Sequence, residues 1–156
     1  MREGKQYMPI VQLIYSSSVS EGLSVMEIKA LVEKAQINNR ALSVTGFLCA
    51  NSYYFLQCIE GESAVIDALF QKISKDSRHH SITVINKREV DNQQFRAWSM
   101  GAVLDIDRHM NIVDGFFPDG VFNPSLLSEQ TSLEFIEQFS QIRIRTLERT
   151  IESLSK

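Results

Sequence analysis

The chain has 156 residues, 44% of them apolar and 22% charged, with a formal net charge of −3. That length and balance suit one domain with its own core and at most a short appendage. The mild acidity leaves no electrostatic footprint for nucleic acid or an anionic membrane, and no apolar run approaches the ~20 residues of a membrane span.

The first seven residues, Met1 to Tyr7, lack the apolar core of a secretory signal. Cys49 and Cys58 fall in two expected strands without CxxC spacing, and read as reduced core thiols of a cytoplasmic protein. The three histidines do not combine with them in a zinc-ligand spacing, so no metal is expected.

Pro9 to Tyr15 alternates, with Val11, Leu13 and Tyr15 on one face and Ile10, Gln12 and Ile14 on the other. It predicts a strand, broken by Ser16-Ser17-Ser18 and Glu21-Gly22. Ser24 followed by Glu27 forms a capping box, and Val25, Ile28, Leu31, Val32 and Ala35 keep helical spacing to an end near Asn38-Asn39. Val44 to Ala50 predicts a second strand, Asn51-Ser52 a tight turn, and Tyr53 to Ile59 a third strand. A second helix carries Val65, Ile66, Leu69, Phe70 and Ile73, with Glu62 in its first turn, and Arg78-His79-His80 closes that segment. Ser81 to Val90 and Trp98 to Leu104 complete five strands.

The order β-α-β-β-α-β-β points to an α+β fold. We expect a ferredoxin-like sandwich, a five-stranded mixed sheet with two helices on one face. The third strand sends Phe55, Gln57 and Ile59 to one side and Tyr54, Leu56 and Cys58 to the other. Both faces are apolar, so both need cover. C-terminal helices on the other face, or a partner chain, would supply it. Asn123-Pro124 and the capping box Thr131-x-x-Glu134 are helix starts. Leu133, Ile136, Phe139, Leu147, Ile151 and Leu154 form an apolar stripe on one long helix or two short ones. Part of that stripe would remain for a partner, so a homo-oligomer is possible.

Gln57 stands out, an amide inside an apolar and aromatic run. A buried amide costs free energy unless its donors and acceptors are paired. Tyr15 shares its face, and adjacent strands ~5 Å apart would allow a phenol–amide hydrogen bond. Such a pair suits a redox-active ring with acceptor atoms on its edge. The ordinary readings are a satisfied core tyrosine, a helix C-cap at Asn38-Asn39, and core filler at Trp98 and Met100. Their combination argues for a site.

Six stretches then resemble the BLUF domain, a flavin-binding blue-light sensor. They are Leu13-Ile14-Tyr15-Ser16-Ser17, Asn38-Asn39, Val44-Thr45-Gly46-Phe47-Leu48, Phe55-Leu56-Gln57-x-Ile59-Glu60-Gly61, Asp76-Ser77-Arg78-His79-His80 and Phe95-x-x-Trp98-Ser99-Met100. They occur in family order with family spacing, over about residues 9–104. The resemblance implies a flavin-binding domain at 9–104 and a helical cap or output segment at 105–156. It implies FAD, with FMN possible, held between the two helices. Leu31 and Ile73 would pack on the ring faces, and Asn38 and Asn39 would meet its polar edge. Lys72, Asp76, Arg78 and His79 would lie towards the ribityl and phosphate side. Blue light would draw an electron and then a proton from Tyr15, leaving the Gln57 amide rotated or tautomerised. Trp98 and Met100 would carry the change out of the pocket. The expected output is binding to an unidentified downstream signalling protein, with no enzyme activity.

Two other classes fit the same sandwich. A light-independent flavoprotein or small ferredoxin-like enzyme would need a nucleophile–base pair, and none is evident beside His79, His80 or His109. An RNA-binding module would need a basic-aromatic signature, which the acidic balance does not offer.

Overall fold

The computed structural model describes residues 8–154, with side chains at 8–143 and 152–154. Strands β1 (Ile10–Val19), β2 (Thr45–Ala50), β3 (Tyr54–Glu62), β4 (His79–Val90) and β5 (Gly101–Val103) alternate with helices α1 (Val25–Ala41) and α2 (Ser63–Ser74). Helices α3 (Met110–Phe116) and α4 (Glu129–Leu154) follow, each preceded by a 3-10 turn, Ile106–Arg108 and Pro124–Leu126. The strands form one sheet in the order β4-β1-β3-β2-β5. Its pairings are antiparallel except β2 with β5, so the sheet is mixed. The fold is the expected α+β sandwich.

The serines after Tyr15 do not end β1. Ser16, Ser17 and Ser18 pair with Leu56, Phe55 and Tyr54 of β3, which satisfies their backbone groups inside the sheet. Register shifts against β4 occur between Ile14 and Tyr15 and between Ser16 and Ser18. Such bulges bend a strand and increase its twist.

Helix α1 starts as expected, with the Ser24 hydroxyl accepting from the Glu27 amide at 3.1 Å. Its end differs. The helix runs through Asn38 and Asn39 to Ala41, and the left-handed residue is Ser43 (φ 56°). The Val44 amide returns to the Asn39 carbonyl and the Ser43 amide to that of Arg40, a Schellman closure. Asn39 is therefore a helical residue with a buried side chain, not a cap.

The alternation sorts the core into two layers. Helices α1 and α2 cover the front, where Leu13, Tyr15, Phe55 and Ile59 meet Ile28, Val32 and Ile66. The back holds Ile14, Phe47, Leu56 and Cys58 under Val113, Phe117, Phe122, Phe135, Ile136 and Phe139. Both apolar faces are thus covered within the chain. Helix α4 is a single helix. Its cap is Ser128 rather than Thr131: the Ser128 hydroxyl accepts from the Thr131 amide at 3.0 Å, and the Thr131 hydroxyl accepts from the Ser128 amide at 2.8 Å. Of the expected stripe, Leu133, Ile136 and Phe139 face the sheet, Leu154 is exposed, and the side chains of Leu147 and Ile151 lie outside the described residues.

The fifth strand is shorter than expected. Trp98 closes a turn with Phe95, its amide donating to the Phe95 carbonyl at 3.0 Å, and β5 begins only at Gly101. Gly46 receives this segment, donating its amide to the Trp98 carbonyl at 3.1 Å. A Cβ at Gly46 would sit 2.2 Å from the Cys58 carbonyl oxygen, so no larger residue fits there without moving β3.

Candidate functional site

Between α1 and α2 the front of the sheet opens into a cleft of about 250 Å³. Ile28, Leu31, Val32 and Ala35 form one wall, Leu69 and Ile73 the other, and Leu48, Phe55 and Ile59 lie in its floor. The walls are apolar because both helices turn their sheet-facing stripes inward. Polar groups also line it: Tyr15, Asn38, Asn39, Gln57, Lys72, Asp76, Arg78 and His79. The ten residues expected at a cofactor site, together with Met100, all line this one cleft.

Tyr15 and Gln57 are register partners on adjacent strands, which places their side chains side by side on the front. The Tyr15 hydroxyl donates to Gln57 Oε1. Tyr15 is 3% exposed, and burial pushes its phenol well above the ordinary tyrosine range, with the negative charge of Asp76 adding to the effect. The phenol therefore keeps its proton and acts as the donor. That fixes the amide, whose Nε2 donates to Met100 Sδ at 3.3 Å. Sulfur is a weak acceptor, so Gln57 is held firmly on one side and loosely on the other.

Asn39 donates through Nδ2 to the Ser99 carbonyl at 2.9 Å, and Gln36 through Nε2 to the Met100 carbonyl at the same distance. These two α1 side chains pin the segment that carries Met100. Gln36 was not among the expected site residues, although it lies one turn from Val32 and three residues from Asn39.

His79 joins three elements, and its ring lies 6.1 Å from that of Tyr15. Its Nε2 lies 2.7 Å from the Ile73 carbonyl, which can only accept, so Nε2 carries the hydrogen. In the neutral ring Nδ1 then accepts from the Ser17 hydroxyl, also at 2.7 Å. Ser17 has the same parity as Tyr15, a signal hidden by ending β1 too early. Arg78 grips Asp76 through Nε and Nη2, at 2.9 and 2.5 Å. The guanidinium holds the Asp76 carboxyl down at about 2.

Trp98 stands apart. It packs on the back of the sheet against Phe47, ring centroids 6.2 Å apart, and does not line the cleft. Its Nε1 is buried and makes no hydrogen bond among the described residues. Of the four residues expected to be photoactive, Tyr15, Gln57 and Met100 meet in the cleft and Trp98 does not. The turn at Phe95–Trp98 is the reason: it breaks the strand alternation that would have put Trp98 and Met100 on one face.

Residues 10–101 match the family described as BLUF, sensors of blue light using FAD. The chain belongs to the BLUF family. Among solved BLUF structures it resembles BlsA in its photo-activated state, with a TM-score of 0.75 and 32% identity, over 84% of this chain and 94% of that one. A beta-like photoactivated adenylate cyclase protein of Euglena gracilis is 35% identical over 83 residues, 53% of this chain. The match spans 9% of that relative. The blue light- and temperature-regulated antirepressor BluF of Escherichia coli is 25% identical over 132 residues, which is 83% of this chain and 32% of that protein.

A flavin suits what the BLUF cleft offers. Its ring is flat and apolar on both faces and hydrogen-bonds along its edge, matching two apolar helical walls and the amides of Asn39 and Gln57. Lys72 and Arg78 also line the cleft and offer cationic donors suited to a phosphate.

Proposed function

We propose that this BLUF protein is a blue-light receptor in which the Tyr15–Gln57 pair is the switch and FAD the cofactor. The hydrogen bond from the buried Tyr15 phenol to Gln57, at the floor of the cleft, carries this reading. Leu31 and Ile73 would hold the flavin ring between the helices, Asn38, Asn39 and Gln57 its polar edge, and Lys72, Arg78 and His79 the chain beyond it. FMN would use the same ring contacts without an adenine.

When bound, the flavin supplies the blue-light absorption and an acceptor for an electron. The protein's part follows from its own groups. Burial makes loss of the Tyr15 proton alone unfavourable, so the proton does not leave before the electron. The nearest acceptor for that proton is Gln57 Oε1. An amide that has lost its donor can rotate, with only Met100 Sδ on its other side, and the imidic tautomer would in addition need Nε2 to pass a proton to the bound flavin. Return of one electron and one proton to Tyr15 restores the phenol with no net redox change and leaves the Gln57 amide rotated, tautomerised or both until dark recovery.

The reading includes no enzyme activity. Output would pass by binding another protein, as the name of the antirepressor relative suggests for that protein, with residues 105–156 acting as cap and output segment to the flavin-binding unit at 9–104. Light need change the contact between sheet and cap by only a modest free energy to shift a binding equilibrium.

Absorbance of the purified protein before blue light, after it, and during dark recovery tests the proposal. A flavin spectrum that shifts to the red and returns is expected. A flavin that bleaches or stays fixed would overturn the receptor and leave a flavoprotein with another task. A protein that takes up no flavin on reconstitution would overturn the cofactor assignment too.

A further inference from the structure

Glu60 is fully buried on the back of β3, on the opposite face from Gln57 and the cleft. A buried carboxylate is stable only when its oxygens are fully met by donors. Here each oxygen receives two hydrogen bonds. Oε1 accepts from the Thr45 hydroxyl at 3.0 Å and the Phe95 amide at 2.8 Å. Oε2 accepts from Gln12 Nε2 at 2.9 Å and the Gln94 amide at 2.7 Å. Two of the four donors are consecutive backbone amides of the loop between β4 and β5. The carboxylate thus sets the position of the loop's backbone.

That loop passes from the back of the sheet to the front. Phe95 is buried in the back core, and Met100 is buried in the front core against Gln57. A single turn, Phe95 carbonyl to Trp98 amide, lies between them. A shift at the Glu60 anchor therefore reaches Met100 through five residues. Gln94 extends the same hold to the cap, since its side chain donates to Glu137 of α4.

We propose that Glu60 is a positioning residue for the switch: from the back of the sheet it fixes the loop at residues 94–95, and so sets where Met100 Sδ meets Gln57 Nε2. The proposal rests on the reading of Gln57 as the switching amide.

Glu60→Gln tests it in the full-length, flavin-loaded protein. The amide keeps the shape but turns an NH2 towards two of the four donors, so at least the backbone N–H on that side, Phe95 or Gln94, meets a donor–donor contact. Because Glu60 does not touch the cleft, flavin content should match wild type. Amide hydrogen exchange at Gln94 and Phe95 should quicken, and the rate of dark recovery should change by about tenfold. Combined with Met100→Ala, E60Q should add little beyond M100A alone, because both act through one contact. A wild-type recovery rate in E60Q overturns the proposal, even with faster exchange, since Glu60 would then hold the loop without positioning the switch. Full additivity with M100A overturns it as well. If E60Q does not fold, Thr45→Val removes one of the four donors and should change recovery by about threefold, and an unchanged rate there also overturns it. A wild-type protein without a reversible red shift would sink the receptor reading and this proposal together. A normal wild-type cycle with an indifferent variant would sink this proposal alone.

Discussion

Tyr15 and Gln57 stand opposite one another across β1 and β3, and the phenol of one donates to the amide oxygen of the other. The contact is set by strand register rather than by a loop. A one-residue slip of either strand would send its own side chain to the back of the sheet and part the pair. Tyr15→Phe keeps the ring and the register but removes the donor. It should retain flavin, lose the light-induced red shift, and cost about 1–3 kcal/mol for the unpaired Gln57 oxygen. Difference spectra and denaturant melts check both, and an unchanged shift would refute the electron-donor role.

Gln57→Leu removes the amide and keeps an apolar side chain of similar size. Flavin should still bind, since the helical walls are untouched, and the red shift should be absent. The Tyr15 hydroxyl then lacks its acceptor, so the melt should fall by about 1–3 kcal/mol. A normal red shift in this variant would reject the amide switch.

The Asp76–Arg78 pair predicts a pH dependence. Hydrogen bonding from Arg78 lowers the Asp76 carboxyl from 3.8 to about 2. A depressed carboxyl adds stability that is fully present above the unfolded value and fades as pH falls from 3.8 towards 2. Both partners are partly solvated, so the effect should stay within about 1 kcal/mol. Asp76→Asn should lose that stability at pH 7 and show a flatter profile across this window. Identical profiles for the two proteins would mean that the pair adds nothing.

Ser43 occupies the left-handed region at the end of α1, where a Cβ is unfavourable. Its backbone contacts would survive in Ser43→Gly. We expect a gain of about 0.5–1 kcal/mol in thermal or denaturant unfolding with no change in the photocycle. A loss of stability would show that the serine side chain has a use.

Phe135 is fully buried on the back and packs against Phe116, Phe117, Phe122 and Phe139. Phe135→Ala should cost about 3–5 kcal/mol. If the melt barely moves, α4 is not the cover that closes the sheet.

The front of the sheet was legible because alternation is strict there. Leu13, Tyr15, Phe55, Gln57 and Ile59 fall on one face by parity alone, and the cleft follows once two helices cover that face. What stayed hidden depended on breaks in pattern. Ser16-Ser17-Ser18 is a turn composition that tertiary pairing held in a strand. Phe95 to Val103 contains a turn inside what looks like one strand, and that moved Trp98 to the other side. Asn38-Asn39 looked like a helix end because asparagine tolerates the left-handed region, but the chain gave that place to Ser43. Glu60 drew no reading of its own from the pattern, though its parity put it on the face of Leu56 and Cys58. Thr131 resembles a cap in its own right, and that masked Ser128, which holds the role.

The two halves of the switch are 42 residues apart in the chain, and β4 must return across the sheet before His79 can take its place in the cleft. No short fragment contains the site. Long-range antiparallel pairing is slow to form because loop closure precedes its reward. Cofactor capture is then a late event in the life of each new molecule, possible only after the sheet is assembled. Until that moment the nascent protein is blind. Afterwards mass action ties its persistence to supply: a ligand that binds only the folded chain adds stability in proportion to the logarithm of its free concentration.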